Sequence, residues 1–167
     1  MGAASPIMSE AVRRISSALN TDNDDDILAT TISKSFVLSV DQAHAIHPNY
    51  ASKHEASHQP KMNEGMVIKR NANQRYATTT VTGFLMREIS KRAKLPPVQE
   101  FIVRQDCGCG STIGPLISTA TGIRAIDMGC PQLSMHSIRE TMGVCDRKLV
   151  SCDIFALKFV LRQPSER

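Results

Sequence analysis

The stretch KSFVLSVDQAHAIHPN, Lys34 to Asn49, decides the fold. Its first half alternates Phe36, Leu38 and Val40 and stops on Asp41, which predicts a buried strand over Lys34–Asp41. Its second half places Asp41, His44 and His47 directly after that strand. In open α/β sheets ligands collect beyond the carboxyl ends of strands, where loops converge, so this junction is a candidate site.

The flanking chain supplies the rest of the architecture. Ser5-Pro6 predicts a helix start, with Ser5 as N-cap and Pro6 in the first turn. Ile7, Met8, Ala11, Val12, Ile15, Ala18 and Leu19 follow at helical spacing and predict one buried face. Asn20–Asp26 is an acidic linker without the glycine and terminal glutamate of a calcium loop, leading into a short helix that runs to Ser33. Met66–Arg70 predicts a second buried strand. Thr78–Lys94 predicts an amphipathic helix with Val81, Phe84, Leu85 and Ile89 inward, stopped by Leu95-Pro96-Pro97. A strand over Glu100–Arg104, a helix over Ser111–Thr121 closed by Gly122, a strand over Ile123–Met128 and a helical tail over Val150–Leu161 complete the order. That order, αα-β-β-α-β-α-β-α, predicts an α/β fold with helices on both faces of one sheet.

Composition narrows the function classes. The 167 residues fit one domain, and 41% apolar with 22% charged residues lies in the ordinary globular range. Aromatic residues make up 4% and Trp is absent, so the core is aliphatic and thin for a self-sufficient domain of this size. Net charge is +4, concentrated in residues 61–104, where nine Lys/Arg face three Asp/Glu. Nucleic-acid binding would need stacking aromatics among those cations, and only Tyr76, Phe84 and Phe101 lie there, so no nucleic-acid partner is expected. No stretch approaches the ~20 apolar residues of a membrane span, so no membrane partner is expected either. Five cysteines, an odd count in a Cys-Gly-Cys rather than C-x-x-C pattern, point to reduced thiols and a cytoplasmic location.

Three further motifs carry chemistry. PQLSMHS (Pro131–Ser137) sets His136 between small hydroxyl residues just past a predicted strand, in the manner of a metal-ligand loop. CGCGST (Cys107–Thr112) precedes a helix but lacks the Lys-Ser/Thr of a phosphate loop. His54-Glu55-Ala56-Ser57-His58 meets the H-E-x-x-H zinc pattern literally, yet that pattern needs a helix and this stretch is polar and flanked by Pro48 and Pro60.

Four blocks, SVDQAHAIHPNYASKHE (Ser39–Glu55), VIKRNANQRYA (Val67–Ala77), CGSTIGP (Cys109–Pro115) and DMGCPQLSMHSIRE (Asp127–Glu140), together resemble the aspartyl aminopeptidases. These are dinuclear zinc exopeptidases, hydrolases that remove acidic residues from peptide N-termini. The resemblance runs from about Gly2 to about Cys145. It implies a three-layer α/β/α zinc-peptidase-like fold, incomplete, with residues 1–167 forming the C-terminal part of a catalytic domain and no separate oligomerisation domain. It implies Asp41 and His136 as terminal ligands, one for each of two zinc ions. It also implies His44, Lys69 and Tyr76 as substrate contacts, Lys69 meeting the substrate's acidic side chain and Tyr76 the developing oxyanion. The family's bridging aspartate and glutamate base fall upstream of the matched region, so no catalytic base is assigned here and metal binding by this chain alone is expected to be weak. Peptides with acidic N-termini and a homo-oligomeric assembly are the implied partners. Two alternatives stand beside this: a non-catalytic remnant that associates with a full-length or complementary subunit, and an independent H-E-x-x-H metalloprotein. On the residues alone, Asp41 also suits a turn or helix cap, His136 an ordinary loop, Lys69 the surface and Tyr76 the edge of a core.

Overall fold

The computed structural model describes residues 2–20, 26–149, 151, 152 and 154. Helices α1 (Ile7–Ala18) and α2 (Ile27–Ser33) precede strands β1 (Phe36–Val40) and β2 (Ala43–His44); β3 (Val67–Arg70), α3 (Thr80–Arg92), β4 (Gln99–Ile102), α4 (Ile113–Thr121) and β5 (Arg124–Gly129) follow, then β6 (Pro131–Leu133) and β7 (Thr141–Met142). Residues 144–149 are helical. The predicted acidic linker lies outside the described residues over 21–25, and so does the tail helix except for 151, 152 and 154.

Four strands form the central sheet in the order β1-β5-β3-β4. β1 runs parallel to β5 and β3 parallel to β4, while β3 and β5 meet antiparallel, so the sheet is mixed. Alternation along each strand divides the side chains between two faces. Ile68, Ile126 and Met128 join Met86 and Ile89 of α3 in one buried cluster, with Phe36 and Leu38 packed against it. On the opposite face, Asp127 of β5 lies under α4, so close that a Cβ on Gly114 would come 2.5 Å from its carboxylate. Helices therefore cover both faces, the three-layer α/β/α arrangement. A second sheet, β2-β6-β7, branches from the ends of β1 and β5. Its strands are two or three residues long, too short for a periodic signal, and the sequence does not announce them.

The structure corrects three expectations. Ser5 is not the cap of α1: it closes a turn onto Gly2, and the helix starts at Ile7 without a side-chain cap. The apolar face of α1 is not buried. Ile7, Ile15 and Leu19 are 73%, 60% and 74% exposed, and Ser16, which reaches Thr31, is the buried residue of that helix. Periodicity reports that a face is apolar, not which surface covers it. In α3, Leu85 and Ile89 point inward as expected, but Val81 and Phe84 face outward and Thr82, Gly83, Met86 and Ser90 are buried instead. Two local constraints turn the helix. Thr79 and Thr82 form a reciprocal capping box, and Gly83 must admit the Arg70 guanidinium, 2.7 Å from where a Cβ would sit.

Candidate functional site

Where β1 and β5 end side by side, the chain leaves the large sheet for the small one. Gly129 permits this: a Cβ there would lie 2.8 Å from both the Asp41 carbonyl carbon and Gln42 Cα. Gln42 secures the crossover by accepting from the Cys130 amide at 2.7 Å, and the Ala43 amide donates to Cys130 at 2.9 Å. Asp41 is thereby held at the strand end with its side chain half exposed.

A cavity of about 560 Å³ opens at this point, and Asp41, His44, Lys69, Tyr76 and His136 all line it. Residues up to 95 positions apart thus converge on one space, from the end of β1, from β2 and β3, from the segment before α3 and from the loop after β6. Lys69 is not a surface lysine. It is 1% exposed, and its Nζ donates to Asp41 Oδ2 and to the Gln42 carbonyl, both at 3.1 Å. The same ammonium lies 5.0 Å from the centroid of the Tyr76 ring. Burial of so strongly hydrated a group is costly unless it is paired and hydrogen-bonded, as it is here.

Tyr76 is 8% exposed, and its phenol oxygen accepts from Cys109 Sγ at 3.2 Å. Burial, followed by Cys109 and the carboxylates of Asp41 and Asp127, pushes its pKa up, so the phenol keeps its proton. The Ala77 amide next to it donates to Asp127 Oδ2 at 2.6 Å, which fixes the segment that carries the ring. His44 packs against Phe101 with ring centroids 5.9 Å apart. Partial burial, then Lys69 and His136, hold it below the ordinary imidazole pKa against the opposing pull of Asp41. His136 is exposed and adopts φ 63°, and Ser134 adopts φ 58°, left-handed values uncommon outside glycine. Its amide donates to Glu140, which closes the loop.

The H-E-x-x-H stretch does not form a zinc helix. A 3-10 turn ends at Lys53, His54 is extended with ψ 150°, and Glu55 bonds His58 rather than standing beside it on a helical face. Proline and the absence of an apolar face leave nothing to hold a helix there. His54 instead packs edge-on against Phe101 and lines the cavity, its Nδ1 buried without a hydrogen-bond partner among the described residues. Cys107, Cys109 and Gln132 also line the cavity, and the resemblance does not mark them as site residues. The Cys-Gly-Cys spacing was the available signal for the first two; Gln132 had none beyond its place in PQLSMHS.

The donor set bears on zinc directly. Asp41 offers a carboxylate and His136 an imidazole, both suited to that ion, but protein zinc sites use three or four protein ligands. Among the described residues no group of three or more His, Cys, Asp or Glu is placed to hold a metal ion. These residues do not by themselves complete a zinc site.

Comparison with known proteins agrees with the geometry. The family described as "Aminopeptidase I zinc metalloprotease (M18)" matches residues 1–156. The chain is 57% identical over 147 residues to a "Probable aspartyl aminopeptidase" of Ricinus communis, covering 88% of this chain and 29% of that protein. It is 47% identical over 150 residues to the "Aspartyl aminopeptidase" of Dictyostelium discoideum, covering 87% and 31%. Its structure superposes on the S. cerevisiae mApe1 dodecamer with a TM-score of 0.83 at 33% identity, covering 96% of this chain and 34% of that one. The chain therefore spans about a third of the length of these relatives. With residues 1–156 matched and the four sequence blocks meeting around one cavity, this chain belongs to the M18 family of zinc metalloproteases.

Proposed function

We propose that this chain is the C-terminal part of the catalytic domain of an aspartyl aminopeptidase, which releases N-terminal Asp or Glu from peptides. The carrying observation is the buried ammonium of Lys69 on the wall of the cavity, next to Asp41 and Tyr76. A fixed cation on a strand, with its chain already immobilised, loses little freedom in meeting a substrate carboxylate. Tyr76, kept protonated, is a hydrogen-bond donor for the oxyanion of a tetrahedral intermediate. His44, kept neutral, offers one donor and one acceptor to the peptide. Asp41 and His136 are proposed as contributors to a zinc centre whose remaining ligands, together with the general base, are not among the described residues. The assembly is proposed to be a homo-oligomer in the cytoplasm, its substrates peptides rather than nucleic acid or membrane.

The test is binding, because no general base is assigned among the described residues. Free L-aspartate and L-leucine are titrated into the protein in the presence of zinc, with Lys69 and Tyr76 followed by NMR. Preferential perturbation by aspartate, lost in Lys69→Met, is expected; equal response to both amino acids overturns the assignment of Lys69. Hydrolysis of acidic N-terminal substrates no faster than in buffer is expected of the chain alone, and zinc-dependent turnover would show that a base is present after all.

A second reading, a binding module that associates with a full-length family subunit, draws support from the exposed apolar side chains of α1 and α4, among them Ile7, Ile15, Leu19, Ile113 and Leu116. Co-elution with such a subunit, lost in Ile15→Lys, is its expected signature.

A further inference from the structure

We propose that Cys107 and Cys109 form a reversible disulfide, a modification site on the cavity wall, and that closing it withdraws the thiol hydrogen-bonded to Tyr76. The disulfide stands on its own; its effect on substrate rests on the function proposed above.

Both thiols are free and partly exposed, and both line the cavity shared by Lys69 and Tyr76. One residue separates them, so their Cα atoms lie within roughly 7 Å for any backbone conformation. Disulfides span about 4.4–6.8 Å between Cα atoms, so only the most extended backbone is out of range. The spacer is Gly108, where an added Cβ would meet nothing within 4 Å, which leaves room for the turn to bring the sulfurs together. Cys109 Sγ now donates to the Tyr76 phenol at 3.2 Å. Cys107 Sγ rests in weak contacts, 3.9 Å from the Lys53 carbonyl and 3.8 Å from Asp106. Cys130 contrasts with this pair: it is buried, and burial, with Asp146, pushes its thiol up to about 11.

Hydrogen peroxide is the oxidant. One thiolate attacks a peroxide oxygen, forming a sulfenic acid and releasing hydroxide; the second thiolate attacks that sulfur, forming the S–S bond and expelling a second hydroxide. The two hydroxides take up the two thiol protons, so two thiols and one peroxide give one disulfide and two waters, with two electrons passing from sulfur to oxygen. A dithiol reductant reverses the bond by exchange. In the oxidised form Cys109 has no hydrogen to donate and its sulfur turns toward Cys107, so Tyr76 loses its partner.

The full chain is treated with peroxide, alkylated and digested with trypsin. Residues 105–124 form a single tryptic peptide holding Cys107, Cys109 and no other cysteine. That peptide is expected to be two hydrogens lighter and closed to alkylation, to reopen with dithiothreitol, and to show no such loss in Cys107→Ser. The chain has two tyrosines and no tryptophan, so Tyr50→Phe leaves Tyr76 as the sole intrinsic fluorophore. Its emission is expected to change in step with the mass loss and to stay constant in the Cys107→Ser background. A doubly alkylated peptide after peroxide, or a bond joining separate chains, overturns the site. A disulfide that leaves the Tyr76 emission unchanged overturns the coupling. Neither readout needs peptidase activity, so failure of the aminopeptidase assignment is seen separately.

Discussion

Replacing Gly129 by alanine tests how the cavity is built. The new Cβ would lie 2.8 Å from the Asp41 carbonyl carbon and 2.8 Å from Gln42 Cα, and nearer still to the Asp41 oxygen. Carbon atoms rest at about 3.5–4.0 Å, so β1 or β5 must give way by more than about half an ångström. The obstructing atoms are backbone, and no rotamer relieves them. Overpacking of this kind costs about 1–3 kcal/mol. Against it stands the smaller conformational freedom of alanine in the unfolded chain, a gain of roughly 0.4–1 kcal/mol. The overlap wins, and the net loss is about 1–2 kcal/mol. For a domain of this length that is a fall in Tm of roughly 2–8 °C. Gly110→Ala is the matched control, since a Cβ there meets nothing within 4 Å and its φ is not left-handed. Thermal and urea melts of the two variants and the parent, run side by side, give the comparison. If Gly129→Ala melts with or above the parent, the strand-end contact does not hold Asp41 in place and the account of the crossover fails.

Two other perturbations follow from buried polar groups. Asp127 is fully buried and accepts from Ser39 Oγ at 2.5 Å and from the Ala77 amide at 2.6 Å. Asp127→Asn turns an NH2 toward one of those donors and should cost about 1–3 kcal/mol, seen as a lower urea midpoint with unchanged slope; an unchanged midpoint would contradict the proposed anchoring of the Tyr76 segment. His44 and His54 both titrate below the imidazole value of 6.5 in the folded chain, in each case chiefly through burial. The unfolded chain therefore takes up those protons first as pH falls, so their contribution to stability is complete above about 6.5 and is lost on acidification through the lower, folded values. The difference in stability between parent and His44→Gln/His54→Gln should change with pH below 6.5 and level off above it; a difference independent of pH would refute the shifts.

Several elements were legible because their signals are local. The alternation of Phe36, Leu38 and Val40 located β1, the apolar start Met66-Val67-Ile68 located β3, and the stretch after Gly122 located β5. Gly122 marked the end of α4 and does adopt the left-handed cap conformation, φ 75°. The same kind of signal misplaced the inner face of α3, because Gly83 yields to Arg70 and Thr82 to the capping box, neither of which hydropathy weighs. It also pointed the apolar side chains of α1 inward, whereas Ile7, Ile15 and Leu19 are exposed. The H-E-x-x-H match shows the limit of a motif without its helix: the letters are present, and the backbone at His54 is extended. Resemblance alone marks Asp41, His44, Lys69, Tyr76 and His136, since spacing gives no reason for positions 41 and 136 to share a cavity.

By itself the sequence determined the longer strands and helices, the α/β class and the family, because turns, caps and periodicity act within a few residues and the four blocks are recognisable as text. Only the tertiary structure decided that Lys69 is buried against Asp41, that Tyr76 holds the Cys109 thiol, and that five separated side chains face one another across a single space. The reason is distance along the chain. Ser39 meets Asp127 across 88 positions, and contacts of that kind exist only once β1 and β5 have paired and Gly129 has let the chain cross over.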